Sequence, residues 1–524
     1  MKKLLLILLI ATNVAFGQTF NIINFGAVGD SITLNTVAIQ KAIDSCNASG
    51  GGTVLIPQGI FLSGTIRMKS NVTLNIDSGG TLKGSGTLAH YPTITPQLRT
   101  FTDQYVQRSL IYAENVSNIA FQGKGKVNGN GLAGVFVNSS NRVFGFRIFS
   151  CTNVRYENLT LQNSAFWMMH NCNIDTLNIR NITITNHCFG NQDGINIDAC
   201  RNVLVENCDV DANNDPIVMK GTSLNWCRDV VVRNCTLATY SRAIKIGTET
   251  QGWFKNIHVH DCVVKKSTRG PLGLDAKCGI NLSIVDGGSM EDVLIENISF
   301  ESVTTPITIR LGNQGRKHDP SAPTPGVGFV KNIRLKNITA TASSNITSTI
   351  TGIPGYRAEN IWLENVQLTV PGGMDSLPST FVVPENINGK PEHDVLGDTL
   401  PAYGIFVRHV NGIQLCNVTV TAQQPDLRPK YVFDDVLNID SSCVSALSDF
   451  TNARTIKVYP NPASSYIYVE NEKAESIEVF DLMGKRLFAS NESSNLFHIN
   501  VSEWATGIYF LRTPTNFSKL FIKR

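Results

Sequence analysis

A short theme recurs along most of the chain and limits what it can fold into: Asn or Asp, then apolar, polar, apolar, polar, Asn or Asp again, and an apolar residue. It reads Asn153-Val-Arg-Tyr-Glu-Asn158-Leu, Asn202-Val-Leu-Val-Glu-Asn207-Cys, Asp229-Val-Val-Val-Arg-Asn234-Cys and Asn256-Ile-His-Val-His-Asp261-Cys. Further copies close at Asn297, Asn337 and Asn365, with weaker ones at Asn181 and Asn417. The closing residues are separated by 23, 26, 27, 27, 36, 40, 28 and 52 positions. Strict alternation over a few residues marks a half-buried strand, and its return at a near-fixed period marks a stacked repeat. A step of 27 leaves room for about three short strands and their turns but no crossover helix. Each repeat is therefore expected to be one coil of a right-handed parallel β-helix. The longer steps are coils with loop insertions, which in solenoids gather on one face and often wall a binding site. The closing Asn or Asp suits a left-handed turn residue, and such residues can ladder from coil to coil.

The two ends have other textures. Met1–Gly17 is a Lys-Lys start, a short Leu/Ile run and Ala15-Phe16-Gly17, the pattern of a secretory leader rather than a spanning segment. From about Thr455 short alternating runs return at Tyr466–Val469, Ser476–Phe480 and Gly507–Leu511, as in a small antiparallel β-sandwich-like domain. With Val458-Tyr-Pro-Asn-Pro-Ala463, Asp481-Leu-Met-Gly-Lys485 and a basic terminus, this segment resembles the sorting domain read by the type IX secretion system of Bacteroidetes. The expected plan is a leader over 1–17, a β-helix over 18–445, a linker over 446–454 and the sorting domain over 455–524. Export through the periplasm of a Gram-negative bacterium, to the cell surface or medium, follows from those two ends.

At the entrance, Thr36–Ser45 carries Val37, Ile39, Ala42 and Ile43 at helical spacing. A short helix there would cap the open end of the stack, which solenoids need. The glycines at Gly50–Gly52 lack the following Lys-Ser/Thr and βαβ spacing of a phosphate loop. Net charge of +3 over 524 residues, without a basic run, argues against nucleic acid. The twelve cysteines form no CxxC and no Cys/His group at zinc spacing, so no metal or cofactor is called for. Cys208, Cys235 and Cys262 fall at one repeated position and should stack inside the coils. A monomer is expected.

Chemistry concentrates between Asn163 and Glu249. The stretch contains Asn163-Ser-Ala-Phe-Trp167, Asn191-Gln-Asp193-Gly-Ile-Asn-Ile-Asp198, Asn214-Asp215-Pro-Ile-Val-Met-Lys220 and Ser241-Arg242-Ala-Ile-Lys-Ile-Gly247. In order and spacing these segments resemble glycoside hydrolase family 28, the pectin-cutting polygalacturonases and rhamnogalacturonases, over roughly residues 20–440. The resemblance implies an inverting hydrolysis of α-galacturonosyl linkages in a pectic polysaccharide, with one carboxylic acid protonating the leaving oxygen and carboxylates activating water. By position Asp193 and Asp215 become the water-activating pair, with Asn191 and Asn214 beside them.

The departures matter too. Asn214 stands where the family has its acid, and Arg242 where it has a histidine. The later Arg-Ile-Lys motif for a uronate carboxylate has no counterpart. Counting back from the closing Asn or Asp puts Asp215 and Arg242 in one column and Asp193 and Lys220 in another, giving a carboxylate–cation cluster. Glu249 is the substitute acid by this count, two coils above Asp193 and roughly 9–10 Å away. Desolvation against Trp253 would raise its pKa. Asn191, Asn214, Lys220, Arg242 and, on a later strand, Arg310 are the candidate substrate contacts, and His170 reads as packed. Two other readings stay open: a polysaccharide lyase of the same fold, and a non-catalytic glycan-binding β-helix.

Overall fold

The computed structural model describes residues 18–269 and 275–443, and, near the C-terminus, 457–461, 463–481, 486–490, 492–512 and 517–523. The leader, the linker and the Leu482–Lys485 turn lie outside the described residues. By contacts the chain divides into a unit ending at Ser442 and a unit beginning at Cys443.

The first unit is a parallel β-helix whose strands join one 31-stranded parallel sheet. One coil runs Ile195–Asp198, Arg201–Glu206 and Asp209–Ala212; the next runs Ile217–Gly221, Trp226–Arg233 and Thr236–Thr239. Coil-to-coil register follows the sequence period. Leu177 pairs with Val203, Val203 with Val230, Val230 with Ile257, Ile257 with Val293, Val293 with Ile333, Ile333 with Ile361 and Ile361 with Ile413. The inward residues of the theme form one continuous core of Ile, Val, Leu and Phe side chains. At roughly 25 cal/mol per Å² of apolar surface, this burial is the main drive to stack.

Both Asn/Asp positions of each theme take φ near +55°, for example Asn153, Asn158, Asn202 and Asn207, the left-handed bend that these short polar side chains tolerate best. Their amides ladder along the axis: Asn256 donates to Asp229 at 2.8 Å, Asn297 to Asp261 at 2.9 Å, and Asn337 to Asn297 at 2.8 Å. Cys208, Cys235 and Cys262 stack at successive coils, all buried. The entrance helix spans Thr36–Ala48 and seats Ala38, Ile39, Ala42, Ile43 and Cys46 on the first coils. Val37, expected on that face, points to solvent.

The second unit is antiparallel throughout. One sheet pairs Lys457–Tyr459, Tyr466–Glu475 and Ser494–Asn500; the other pairs Arg486–Ala489, Glu478–Asp481, Gly507–Arg512 and Phe517–Lys523. Ile467, Val469, Val479, Ile499 and Leu511 share its core.

Candidate active site

The sheet containing Met169–Cys172, Ile195–Asp198, Ile217–Gly221 and Arg242–Thr250 forms the floor of a cleft of about 840 Å³. Loops complete its walls, bringing in Tyr105, Arg108, Arg142, Arg316 and Lys390. Asp193 and Asp215 lie at the entry of successive floor strands. Ile195 pairs with Ile217, and the Gly194 amide donates to the Asp215 carbonyl at 3.0 Å.

Local packing fixes Asp193. The Gln192 carbonyl oxygen accepts the Cys188 amide at 2.6 Å and the Phe189 amide, and its own amide donates to the Ser164 carbonyl at 2.5 Å. Buried Asn186 holds the Ser164 amide at 2.8 Å and donates to the Asp193 carbonyl at 3.1 Å. The two family-like segments are thus clamped together from below. The Asp193 carboxyl accepts one bond, from the Asn214 amide at 2.7 Å, and its Oδ2 is buried without a hydrogen-bond partner, 3.8 Å from the Lys220 ammonium. Burial pushes its pKa up to about 6 against the pull of Lys220, with Asp215 adding to the rise.

Asp215 is equally buried yet moves the other way. Burial acts to raise its pKa, but Lys245, Arg242 and Lys220 together outweigh it and bring it below the ordinary value. Lys245 sits 2.7 Å from its Oδ2, and Ser241 donates to its Oδ1 at 3.1 Å. Asn214 lies between the two acids, its amide on Asp193 and its carbonyl taking the Ser241 hydroxyl at 2.7 Å. An amide in that place orients and spaces its neighbours and cannot supply a titrating proton.

Glu249 reaches the cleft, but its surroundings differ from the sequence expectation. It accepts Lys220 at 2.9 Å and the Tyr105 hydroxyl at 2.7 Å, with Arg316 at 3.7 Å. Burial acts to raise its pKa, yet Lys220 and Arg316 overcome that and hold it well below the usual carboxylate range. Trp253, expected to desolvate it, stands at the surface instead. Both Glu249 and Asp193 touch one ammonium, so they also lie closer than the expected 9–10 Å. In this setting the Glu249 carboxylate is held as an anion.

One of the two expected columns is present and the other is not. Ile217 pairs with Ile244, which aligns Asp215 with Arg242. Lys220, however, pairs with Asp198, and Asp193 aligns with Asp215. Between these coils the floor strand steps by 22 residues and the next strand by 27 (Ile195 to Ile217, Arg201 to Arg228). The chain inserts extra residues after Gly221, and counting back across that turn shifts the frame. Lys220 still reaches Asp193 because its side chain is long. It also lies 4.5 Å from the Trp167 ring centroid, a cation–π contact in a dry setting.

Arg242 lines the cleft and pairs with Glu392 of the 373–404 insertion, its other arm donating to Ser241 at 3.0 Å. Asn191 lines the rim, exposed and at φ +59°. Arg310 does not reach the cleft. It is buried, pushed down to about 10 by that burial, and donates to the carbonyls of Asn386 at 2.6 Å and Glu385 at 3.2 Å. Its role is to tie down the long insertion. His170 is packed as read, bonded to Asp198 at 2.9 Å, with burial lowering its pKa.

Sequence reasoning passed over Lys245, Arg108, Arg142, Arg316 and Tyr105. Lys245 was visible in principle: Ile244 and Ile246 are core, so alternation sends residue 245 outward. The other four come from loops whose return to the floor no periodicity encodes. Arg316 is aimed by Asp286 at 2.7 Å and stacks 5.0 Å from the Phe101 centroid.

Residues 46–387 match the profile of glycosyl hydrolases family 28. The chain belongs to that family. Residues 457–523 match the secretion system C-terminal sorting domain. Over 128 residues the chain is 41% identical to an exo-poly-alpha-D-galacturonosidase of Dickeya chrysanthemi, 23% of this chain and 21% of that protein. Over 217 residues it is 29% identical to a probable polygalacturonase of Vitis vinifera, 38% and 44% of the two chains. The matches thus span less than half the length of either relative. A family 28 exopolygalacturonase structure from Yersinia enterocolitica superimposes with a TM-score of 0.64 at 20% identity, over 82% of this chain and 79% of that one, a likeness of fold. Among the described residues no helix is long and apolar enough to cross a membrane.

Proposed function

We propose that this cleft hydrolyses α-galacturonosyl linkages of a pectic polysaccharide with inversion, Asp193 donating the proton to the leaving oxygen and Asp215 activating the water. The observation that carries the division of roles is the opposite environment of two neighbouring carboxyls. Asp193 has one oxygen without a hydrogen-bond partner and a pKa raised to about 6, whereas Asp215 is held ionised by Lys245. Two titratable groups pushed apart in this way are how one site runs acid and base steps together. The chain Asp193–Asn214–Ser241–Asp215 links the two carboxyls through an amide and a hydroxyl; an inverting pair needs room for water between acid and base.

Charge supports the anionic substrate. Seven cationic side chains line the cleft against three carboxylates, although the whole chain is nearly neutral. Most of those cations answer a protein acid. Arg108 and Arg142 are different: their hydrogen bonds go to the Ser140 and Gly190 carbonyls at 3.3 and 2.6 Å, so their charge is left for ligand carboxylates. They would serve where the family's Arg-Ile-Lys motif is missing. Export and delivery to type IX secretion machinery are supported by the sorting-domain match.

The test is release of reducing ends from homogalacturonan, rhamnogalacturonan and a neutral polymer by the full-length protein. Galacturonan should be cut and the neutral polymer spared. Loss of cutting in Arg108→Gln/Arg142→Gln, as a rise in KM, would support the uronate contacts. Equal turnover of acidic and neutral polymers would overturn them.

A further inference from the structure

The extra residues that shift the register after Gly221 have a second consequence. Thr222–Asn225 is pinned at its start by Asp198, which accepts the Thr222 amide at 3.0 Å and its hydroxyl, and at its end by Asn225 donating to Asn173 at 3.2 Å. The segment delivers Trp226 to the surface, where it aligns with Trp253 of the next coil. The two indoles are 4.6 Å apart by centroid, and Phe329 follows 6.5 Å beyond Trp253. Trp226 is 39% exposed and Trp253 43%. Two residues along, a cationic column runs beside the indoles, Arg201 aligned with Arg228 and Arg228 with Lys255.

Trp226 and the cationic column border a concavity of about 520 Å³, apart from the catalytic cleft, lined by Asn173, Arg201, Asn225, Trp226, Arg228 and Lys255, with Trp253 against Trp226 on the next coil. No acid lines it. The acids that balance the two arginines each occupy a single nitrogen, Asp175 taking Nε of Arg201 at 3.0 Å and Asp229 taking Nη1 of Arg228 at 2.9 Å, while Lys255 answers Glu291 at 2.7 Å and Asp292 at 3.9 Å. A guanidinium has five N–H donors, so each arginine retains a face for another carboxylate. Exposed indoles offer flat apolar surface to the C–H face of a pyranose, with an N–H for a hydroxyl. Contiguous exposed apolar surface rimmed by polar residues is a feature of interaction sites.

We infer that the Trp226–Trp253 surface is a second, non-catalytic binding site for an acidic polysaccharide, sugar rings lying on the indoles and uronate carboxylates meeting Arg201 and Arg228. The choice of galacturonan as probe rests on the function proposed above; the site itself does not.

The experiment uses full-length Asp215→Asn protein, so that binding is read without turnover, by retardation in gels containing polygalacturonate or dextran. Trp226→Ala/Trp253→Ala in that background should weaken apparent polygalacturonate affinity about tenfold, equivalent to ~1.4 kcal/mol. In otherwise unaltered enzyme the same pair should leave kcat/KM on a short oligogalacturonide within about twofold. Arg201→Gln/Arg228→Gln should reduce retardation by polygalacturonate in the same way. Equal retardation of parent and tryptophan variant, or retardation by dextran as strong as by polygalacturonate, would overturn the inference. Tryptophan-dependent retardation in a protein that releases no reducing ends would uphold it and sink the hydrolase reading alone.

Discussion

Glu249→Gln separates the two accounts of the missing acid. In the structure Lys220 is shared, 2.9 Å from Glu249 and 3.8 Å from Asp193. A unit charge pair at about 4 Å is worth ~4 kcal/mol at an effective dielectric near 20. The Glu249 carboxylate now offsets much of what Lys220 would otherwise exert on Asp193. With that anion removed, the ammonium acts on Asp193 more fully and stabilises its ionised form. A net change on the order of 1.4 kcal/mol lowers the Asp193 pKa by about one unit from its raised value near 6. Since Asp193 must carry a proton to act, activity is lost as pH rises through its pKa. The alkaline limb of kcat/KM against pH should therefore move down by about one unit while staying a limb. Losing one partner of a buried pair also costs about 3–5 kcal/mol, here at the lower end because Asp193 remains as partner, so the melting temperature should fall. If the alkaline limb disappears in Glu249→Gln, Glu249 is the proton donor and the reasoning fails. An unmoved limb refutes the electrostatic coupling.

Asp193→Asn and Asp215→Asn should each lower kcat by about 10²–10⁴-fold with the fold retained; a loss under tenfold in either removes that residue from the mechanism. Lys245→Met deletes the cation that most depresses Asp215, so the Asp215 pKa rises and the acid limb of the pH profile should move to higher pH, read from the same kcat/KM series. Arg310→Met should lower thermal stability by loosening the 385–386 segment yet leave the pH profile in place. Deleting the chain from Thr455 should leave turnover unchanged and retain the protein in the periplasm of its host, as fractionation would show; arrival at the cell surface would refute the sorting role.

The coils were legible because a half-buried strand writes its register locally. Every step from 23 to 52 residues reappears as strand pairing, and the left-handed Asn turns are the residues that close each theme. Asp193, Asp215 and Lys220 came together because Lys220 lies on a floor strand and the two acids stand just before successive floor strands. Legibility stopped at turns and insertions. The frame shift after Gly221 misplaced Lys220 by column, since counting assumes turns of equal length. Arg310 was misread because only the fold shows that the 373–404 insertion covers that strand. The ionised state of Glu249 is set by Lys220 on the floor together with Arg316 and Tyr105, which reach it from loops distant in the chain, 144 residues away for Tyr105, contacts with no local signal.

The most direct measurement follows the first anomer released from polygalacturonate by proton NMR, with Asp215→Asn as control. An inverting hydrolysis of an α-linkage by the Asp193–Asp215 pair predicts that the β-anomer appears first, mutarotates slowly, and is absent with Asp215→Asn. Initial release of the α-anomer, or an unsaturated ultraviolet-absorbing product, would contradict that account.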